Sequence, residues 1–182
     1  MPRIDTARLT LLPASAAHLQ AELEGPTELE RALGIAVPPA WPPELYDANA
    51  TRWTIARLAE HPHERDWLLY YIVRRIMDGA SELLIGVGGF KGAPDPSGTV
   101  ELGYGILPAH RRRGYATEAV RGLVDIAFNT PGVRLVMAHT LATLTPSIGV
   151  LTKAGFSFAG EAEDPGAPPG STVVRYELAR AR

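Results

Sequence analysis

The 182-residue chain predicts an α+β fold, a mixed, mostly antiparallel central sheet with helices packed on it. Three observations carry that expectation. Between Trp67 and Leu107 lie three strand-like runs separated by tight-turn signals, which read as an antiparallel meander. Directly afterwards Ala116, Ala119, Val120, Leu123, Val124, Ala127 and Phe128 recur at helical spacing and form one apolar stripe. Shorter strand and helix signals flank this centre on both sides.

The elements follow in order. Arg8 to Leu12 reads as a first strand, and Ala14 to Glu24 as a helix with Ser15 as N-cap. Thr27 and Glu30 have capping-box spacing, which predicts a second short helix. Val37 to Pro43 is a proline-rich loop, and a third helix runs from near Glu44 to Glu60, stopping before Pro62. Trp67–Met77, Leu83–Lys91 and Thr99–Leu107 are the meander strands, with turns at Asp78-Gly79 and at Asp95 to Gly98. Pro131-Gly132 ends the long helix and Val133–Leu141 is a strand. Pro146 to Ala154 is a short helix with Gly155 at its C′ position. Phe156–Gly160 and Thr172–Leu178 close the sheet. The expectation is a single domain over residues 1–182, with no repeat or low-complexity segment.

Composition excludes several classes. A formal net charge of −2 gives no bulk electrostatic reason for a nucleic-acid partner. With no cysteine, disulfides, thiol nucleophiles and zinc–thiolate sites are ruled out. No apolar run reaches membrane-spanning length and the N-terminus lacks a secretory apolar region, so the expected location is cytoplasmic.

The segment Glu101 to Ala119 carries most of the information. A strand runs into Pro108, a short loop holds Arg111, Arg112 and Arg113, and Gly114 leads into the amphipathic helix. The first turn of a helix leaves N–H groups unsatisfied and carries partial positive charge, so such a junction binds anions. Gly114 allows close backbone approach and Ala116 keeps the space clear. Arg112 and Arg113 add charge-assisted contacts. By itself the same run also reads as a solvated basic patch.

Arg111-Arg-Arg-Gly114-Tyr-Ala116 resembles the R/Q-x-x-G-x-G/A signature of the GNAT acetyltransferases, with Ile106-Leu-Pro108 as its lead-in. Thr6-Ala-Arg-Leu9, Thr117-Glu-Ala119 and the block from Ser147 to Phe156 are similar to the branch that acetylates ribosomal-protein N-termini. The resemblance is loose over residues 25–65, where the family varies to build acceptor sites. It implies a splayed strand pair, one strand ending at Leu107 and the other Val133–Leu141, with the pantetheine of acetyl-CoA between them. It implies that Ile106 and Leu107 offer backbone groups to pantetheine and thioester. Arg111, Arg112, Arg113, Gly114, Tyr115, Ala116 and Thr117 would hold the pyrophosphate. The implied activity is acetyl transfer to a primary amine, with a protein N-terminus as the branch-level acceptor. One departure stands out: where the family has an asparagine that bonds the pantetheine amide, this chain has Leu144. That departure motivates the alternative of a non-catalytic acyl-CoA-binding regulatory module.

Direct acetyl transfer needs a base for the amine, a donor for the oxyanion and a proton for the departing thiolate. Glu101 is the candidate base. On a strand, Glu101, Gly103 and Gly105 share one face, and the glycines leave that face empty beside the carboxylate. An exposed strand carboxylate is the plain alternative, and a bulge near Gly105 would change the parity beyond it. Ser147 falls at the family's serine near the thioester sulfur, and reads as an acid or orienting donor or as a helix cap. Tyr104 and Tyr176 are further donors, each more simply read as core.

Other signals fail. Gly86-Val-Gly88-Gly89 lacks the third glycine and the following helix of a dinucleotide loop. Thr145-Pro-Ser147-Ile-Gly149 is a near-miss to a hydrolase elbow without matched partners. His61-Pro-His63-Glu64 reads as a solvated helix end and not a metal site, and no metal is expected. His139 reads as a core or edge histidine.

Overall fold

The computed structural model describes residues 3–75, 82–163 and 167–181. Its strands are β1 (Ile4–Asp5), β2 (Leu9–Pro13), β3 (Leu69–Arg74), β4 (Leu83–Phe90), β5 (Thr99–Ile106), β6 (Leu135–Leu141), β7 (Ser157–Ala162) and β8 (Val173–Ala179). Its helices are α1 (Ala16–Glu24), α2 (Pro26–Leu33), α3 (Ala48–Glu60), α4 (Tyr115–Asn129) and α5 (Thr145–Ala154). The strands form one sheet in the order β1-β2-β3-β4-β5-β6-β8-β7. All neighbouring pairs are antiparallel except β5 and β6.

Helices cover both faces. The apolar stripe of α4 buries Ala119, Val120, Leu123, Val124 and Ala127 against Leu9, Leu11, Val100, Leu102 and Ile106. On the other face Leu19 of α1 and Leu29 of α2 pack with Tyr71, Val73, Leu84 and Val87. Strand β4 lies between the two cores, which is why its sequence is apolar or glycine throughout and not alternating.

The feature that shapes the site is the junction of β5 with β6. Their parallel pairing covers only Thr99–Glu101 against Leu135–Met137. Beyond that, β5 stays paired with β4 as far as Ile106 and β6 stays paired with β8 as far as Leu141. Each strand follows its own outer neighbour, so the sheet opens into a V whose apex is at Glu101 and Met137.

Several boundaries differ from expectation. Ser15 does cap α1, and His18 completes the box by accepting from the Ser15 amide. Thr27 does not cap α2. The helix begins earlier, at Pro26 after Gly25, because proline fits the first helical position. Glu30 instead accepts the Val37 amide at 3.0 Å and ties the proline-rich loop to α2. Helix α3 begins at Ala48, not near Glu44, because Asp47 caps the Asn49 and Ala50 amides. Trp67 belongs to the 3₁₀ turn Pro62–Trp67, not to β3. The Asp78-Gly79 turn lies outside the described residues. Register between β4 and β5 is unbroken from Phe90↔Leu102 to Gly86↔Ile106, so no bulge occurs at Gly105. Register shifts occur instead between Ile72 and Val73 of β3 and between Phe158 and Gly160 of β7.

Candidate active site

The bend between β5 and α4 is built from backbone. After the 3₁₀ turn Pro108–His110, Arg112 takes a left-handed conformation at φ 59° and Gly114 another at φ 82°. A left-handed arginine costs about 1–2 kcal/mol, and such strain persists where the surrounding structure holds it. Its effect is to turn amides outward, the arrangement that makes anion-binding concavities. The amides of Arg112, Arg113, Gly114, Tyr115, Ala116 and Thr117 donate to no acceptor among the described residues. Residues Arg111 to Gly114 are exposed, so an anion can reach them.

The arginines divide their work. Arg112 and Arg113 have side chains free of ion pairs among the described residues. The Arg111 side chain is already committed: Nε donates to the Ile106 carbonyl at 2.9 Å, and Nη2 pairs with Glu44 at 2.8 Å. Arg111 therefore shapes the bend and links it to the proline-rich loop. Of the two strand-end residues, Leu107 is withdrawn, since its amide bonds Ile85 and its carbonyl takes the His110 amide, both at 2.9 Å. Successive amides of a strand point to opposite sides, so Ile106 is the one that faces the V.

Arg8 supports the bend from below. Its Nε pairs with Glu118 at 2.8 Å, its Nη1 donates to the Arg113 carbonyl at 3.0 Å, and its guanidinium lies 4.6 Å from the centre of the Tyr115 ring. Burial acts to raise the Glu118 pKa, but bonds from Thr6, the Arg8 amide and the Arg8 side chain outweigh it and bring the carboxyl below its usual range. A groove of about 1060 Å³ runs from Gly114 and Thr117 along α4, between Arg8, Arg121 and Lys153.

At the apex of the V, Glu101 does not stand alone. His139 of β6 lies with Nδ1 3.0 Å from Glu101 Oε1, and Lys91 pairs with the same oxygen. The Glu101 and His139 side chains are only 17% and 16% exposed, so they form a sheltered pair where the splay begins. Space above Gly103 is open, with nothing near a notional Cβ. A cleft of about 510 Å³ begins there and runs between β4, β5 and α3.

On the opposite face of β5, Tyr104 reaches α5. Its hydroxyl lies 3.0 Å from Ser147 Oγ and donates to the Ser147 carbonyl at 3.1 Å. Burial raises the Tyr104 pKa and the Ser147 bond only partly offsets that, so this phenol stays protonated. Ser147 is not the helix cap: Leu144 holds that position without a side-chain bond. Leu144 is partly exposed at the start of α5. Tyr176 stacks edge-on with Phe158 and packs against the core.

His61, His63 and Glu64 do come together, with ligand atoms within 4.8 Å of one another. Both Glu64 oxygens, however, accept from Arg57 at 2.7 and 2.8 Å, which accounts for that carboxylate without an ion.

Two partners of Glu101, Lys91 and His139, come from outside its own strand. His139 became visible only once the parallel register put β6 beside Glu101. Lys91 had a local signal, because a residue just past β4 in a hairpin lies opposite the start of β5.

The chain matches the acetyltransferase (GNAT) domain over residues 8–157 and belongs to that family. It is 34% identical over 73 residues to the uncharacterized N-acetyltransferase YjdG of Bacillus subtilis (strain 168), covering 40% of this chain and 44% of that one. With the curated relatives YjdG and p20 of Bacillus licheniformis, the alignment spans less than half of their length. A putative ribosomal-protein-serine acetyltransferase from Vibrio cholerae has the same fold at TM-score 0.67 and 16% identity, covering 98% of each chain. So does RimL, a ribosomal L7/L12 alpha-N-protein acetyltransferase in complex with coenzyme A, at TM-score 0.66, 14% identity and 98% coverage of each chain. Among the described residues no helix is long and apolar enough to cross a membrane.

Proposed function

We propose that the protein transfers the acetyl group of acetyl-CoA to a primary amine by direct attack in a ternary complex. The observation that carries this is the pairing of an exposed, amide-lined bend with a sheltered carboxylate–imidazole pair at the apex of one V. The diphosphate would sit on the amides of Arg112 to Thr117, with Arg112 and Arg113 adding charge. Pantetheine would run into the V past the Ile106 amide and bring the thioester toward Glu101.

The bonds then balance simply. The amine nitrogen forms a bond to the acetyl carbon, the carbon–sulfur bond breaks, and the amine gives up a proton. Glu101 takes that proton directly or through His139. A carboxylate bonded to one imidazole nitrogen orients the ring and leaves the other nitrogen as acceptor, and an imidazole is a stronger base than a carboxylate. The departing thiolate is met by the Tyr104–Ser147 pair. A serine hydroxyl alone is a poor acid; rotation of the Tyr104 proton from the Ser147 carbonyl onto Ser147 Oγ, 3.0 Å away, lets the phenol supply the proton as Ser147 gives its own to sulfur.

The family branch supports a protein N-terminus as one acceptor class. Localisation in the cytoplasm fits the absence of cysteine. The test is CoA release measured with N-terminal peptides, arylalkylamines, polyamines and aminoglycosides. Turnover with at least one primary amine is expected. Tight CoA binding with no turnover on any amine would instead favour the regulatory module.

A further inference from the structure

The cleft above Gly103 has walls that describe its occupant. Leu45, Tyr46, Trp53, Leu69, Val87 and Phe90 line it, and glycine backbone forms its floor. Two of these are large apolar side chains left in solvent: Leu45 is 88% exposed and Trp53 49%. Leu45 is also held at φ 66°, a left-handed conformation that a bulky residue seldom adopts. Backbone strain of this kind concentrates at functional sites, and apolar groups grouped at a cleft mouth mark a recognition surface.

The charges around the cleft limit the occupant further. Its acidic lining residue, Glu44, is paired with Arg111 at 2.8 Å. Lys91 is cationic and holds Glu101. A polyamine or aminoglycoside would bring several positive charges into a space that offers no unpaired carboxylate among the described lining residues. An amine with one charge, lost on reaction, and an apolar body meets neither problem.

We propose that the acceptor is a primary monoamine borne on an uncharged apolar group, with Leu45 and Trp53 closing on that group and the nitrogen directed to Glu101. This rests on the acetyltransferase reading for the nitrogen's fate, but the binding arm does not. An exposed tryptophan and leucine gain by burying apolar surface against the ligand, and replacing either by alanine weakens acceptor binding about tenfold.

The experiment has two arms on the whole protein with CoA present. In the first, tryptophan fluorescence is followed as 2-phenylethylamine, a Phe-initiated peptide amide, spermidine or kanamycin is added, with Trp53→Phe as reference. The two apolar monoamines should give a saturable change that Trp53→Phe abolishes, while spermidine and kanamycin give none. The relative affinity of the small amine and the peptide then tells which source of apolar amine fits better. In the second, kcat/KM is measured with acetyl-CoA for the same amines. Leu45→Ala and Trp53→Ala should raise KM for the apolar amines about tenfold and leave KM for acetyl-CoA unchanged. Binding of apolar amines without turnover overturns the enzymatic reading and keeps this inference. Preferred turnover of spermidine or kanamycin overturns this inference and keeps the enzymatic reading. No binding by the apolar monoamines overturns it as well.

Discussion

The bend at Arg111–Thr117 and the cluster at Glu101 lie at opposite ends of the V, and they are built on different principles. The bend is contiguous in sequence, and the groups it offers are main-chain amides whose direction follows from two left-handed residues. The cluster gathers Lys91 from just past β4, Glu101 from β5 and His139 from β6, and every group in it is a side chain. A diphosphate is the same in every acyl-CoA, so under the proposed function a local backbone device suffices for it. An acceptor amine differs from enzyme to enzyme, so under the proposed function its site draws on elements free to vary.

That contrast can be broken by experiment, beginning with the largest effect. Gly114→Asp puts a side chain at φ 82°, within 3.2 Å of Arg8, and a negative charge beside phosphate. CoA affinity by calorimetry should fall by about 3 kcal/mol or more, while Gly114→Ala, which lacks the charge, should fall less. Equal losses would mean that shape alone sets the site. At the other end, Glu101→Gln should lower kcat about 100-fold with CoA affinity unchanged. A loss of CoA affinity of similar size would join the two regions into one.

Glu118→Gln tests the support beneath the bend. The folded Glu118 pKa lies below its ordinary value, so its stabilisation is present above the unfolded carboxyl range and is lost as pH falls through the folded value. Chemical denaturation should show wild type ahead by about 2 kcal/mol at neutral pH, with the gap closing in acid. A gap that persists at low pH would assign the effect to packing. The smallest change expected is Leu144→Asn, which restores a polar group at the start of α5. It should strengthen CoA binding by about 1 kcal/mol, and no gain would place the amide's partner elsewhere.

Different parts of the molecule were legible to different degrees. The α4 stripe and the junction at Gly114 could be read because helical spacing and a positive-φ glycine are local. Helix α3 starts later than its sequence suggests, because Asp47 takes the cap and the residues from Glu44 to Asp47 carry no periodicity. Ser147 reads two ways in isolation; the helix-cap reading fails because Leu144 holds that position, and Tyr104 crosses from β5 to meet the Ser147 hydroxyl.

By itself the sequence determined the α+β class, the antiparallel meander, the outward amides of the bend and the open space at Gly103. Each depends on a residue and its near neighbours. Pro43, by contrast, packs over Gly105 and closes the rest of the face expected to be empty. Tertiary structure alone decided that β6 runs parallel to β5 for three residues and then departs, that His139 meets Glu101, and that Arg111 turns to Glu44. Those contacts join positions 38 and 67 residues apart. No local preference encodes them, because they exist only once two cores have packed and set which strand lies beside which.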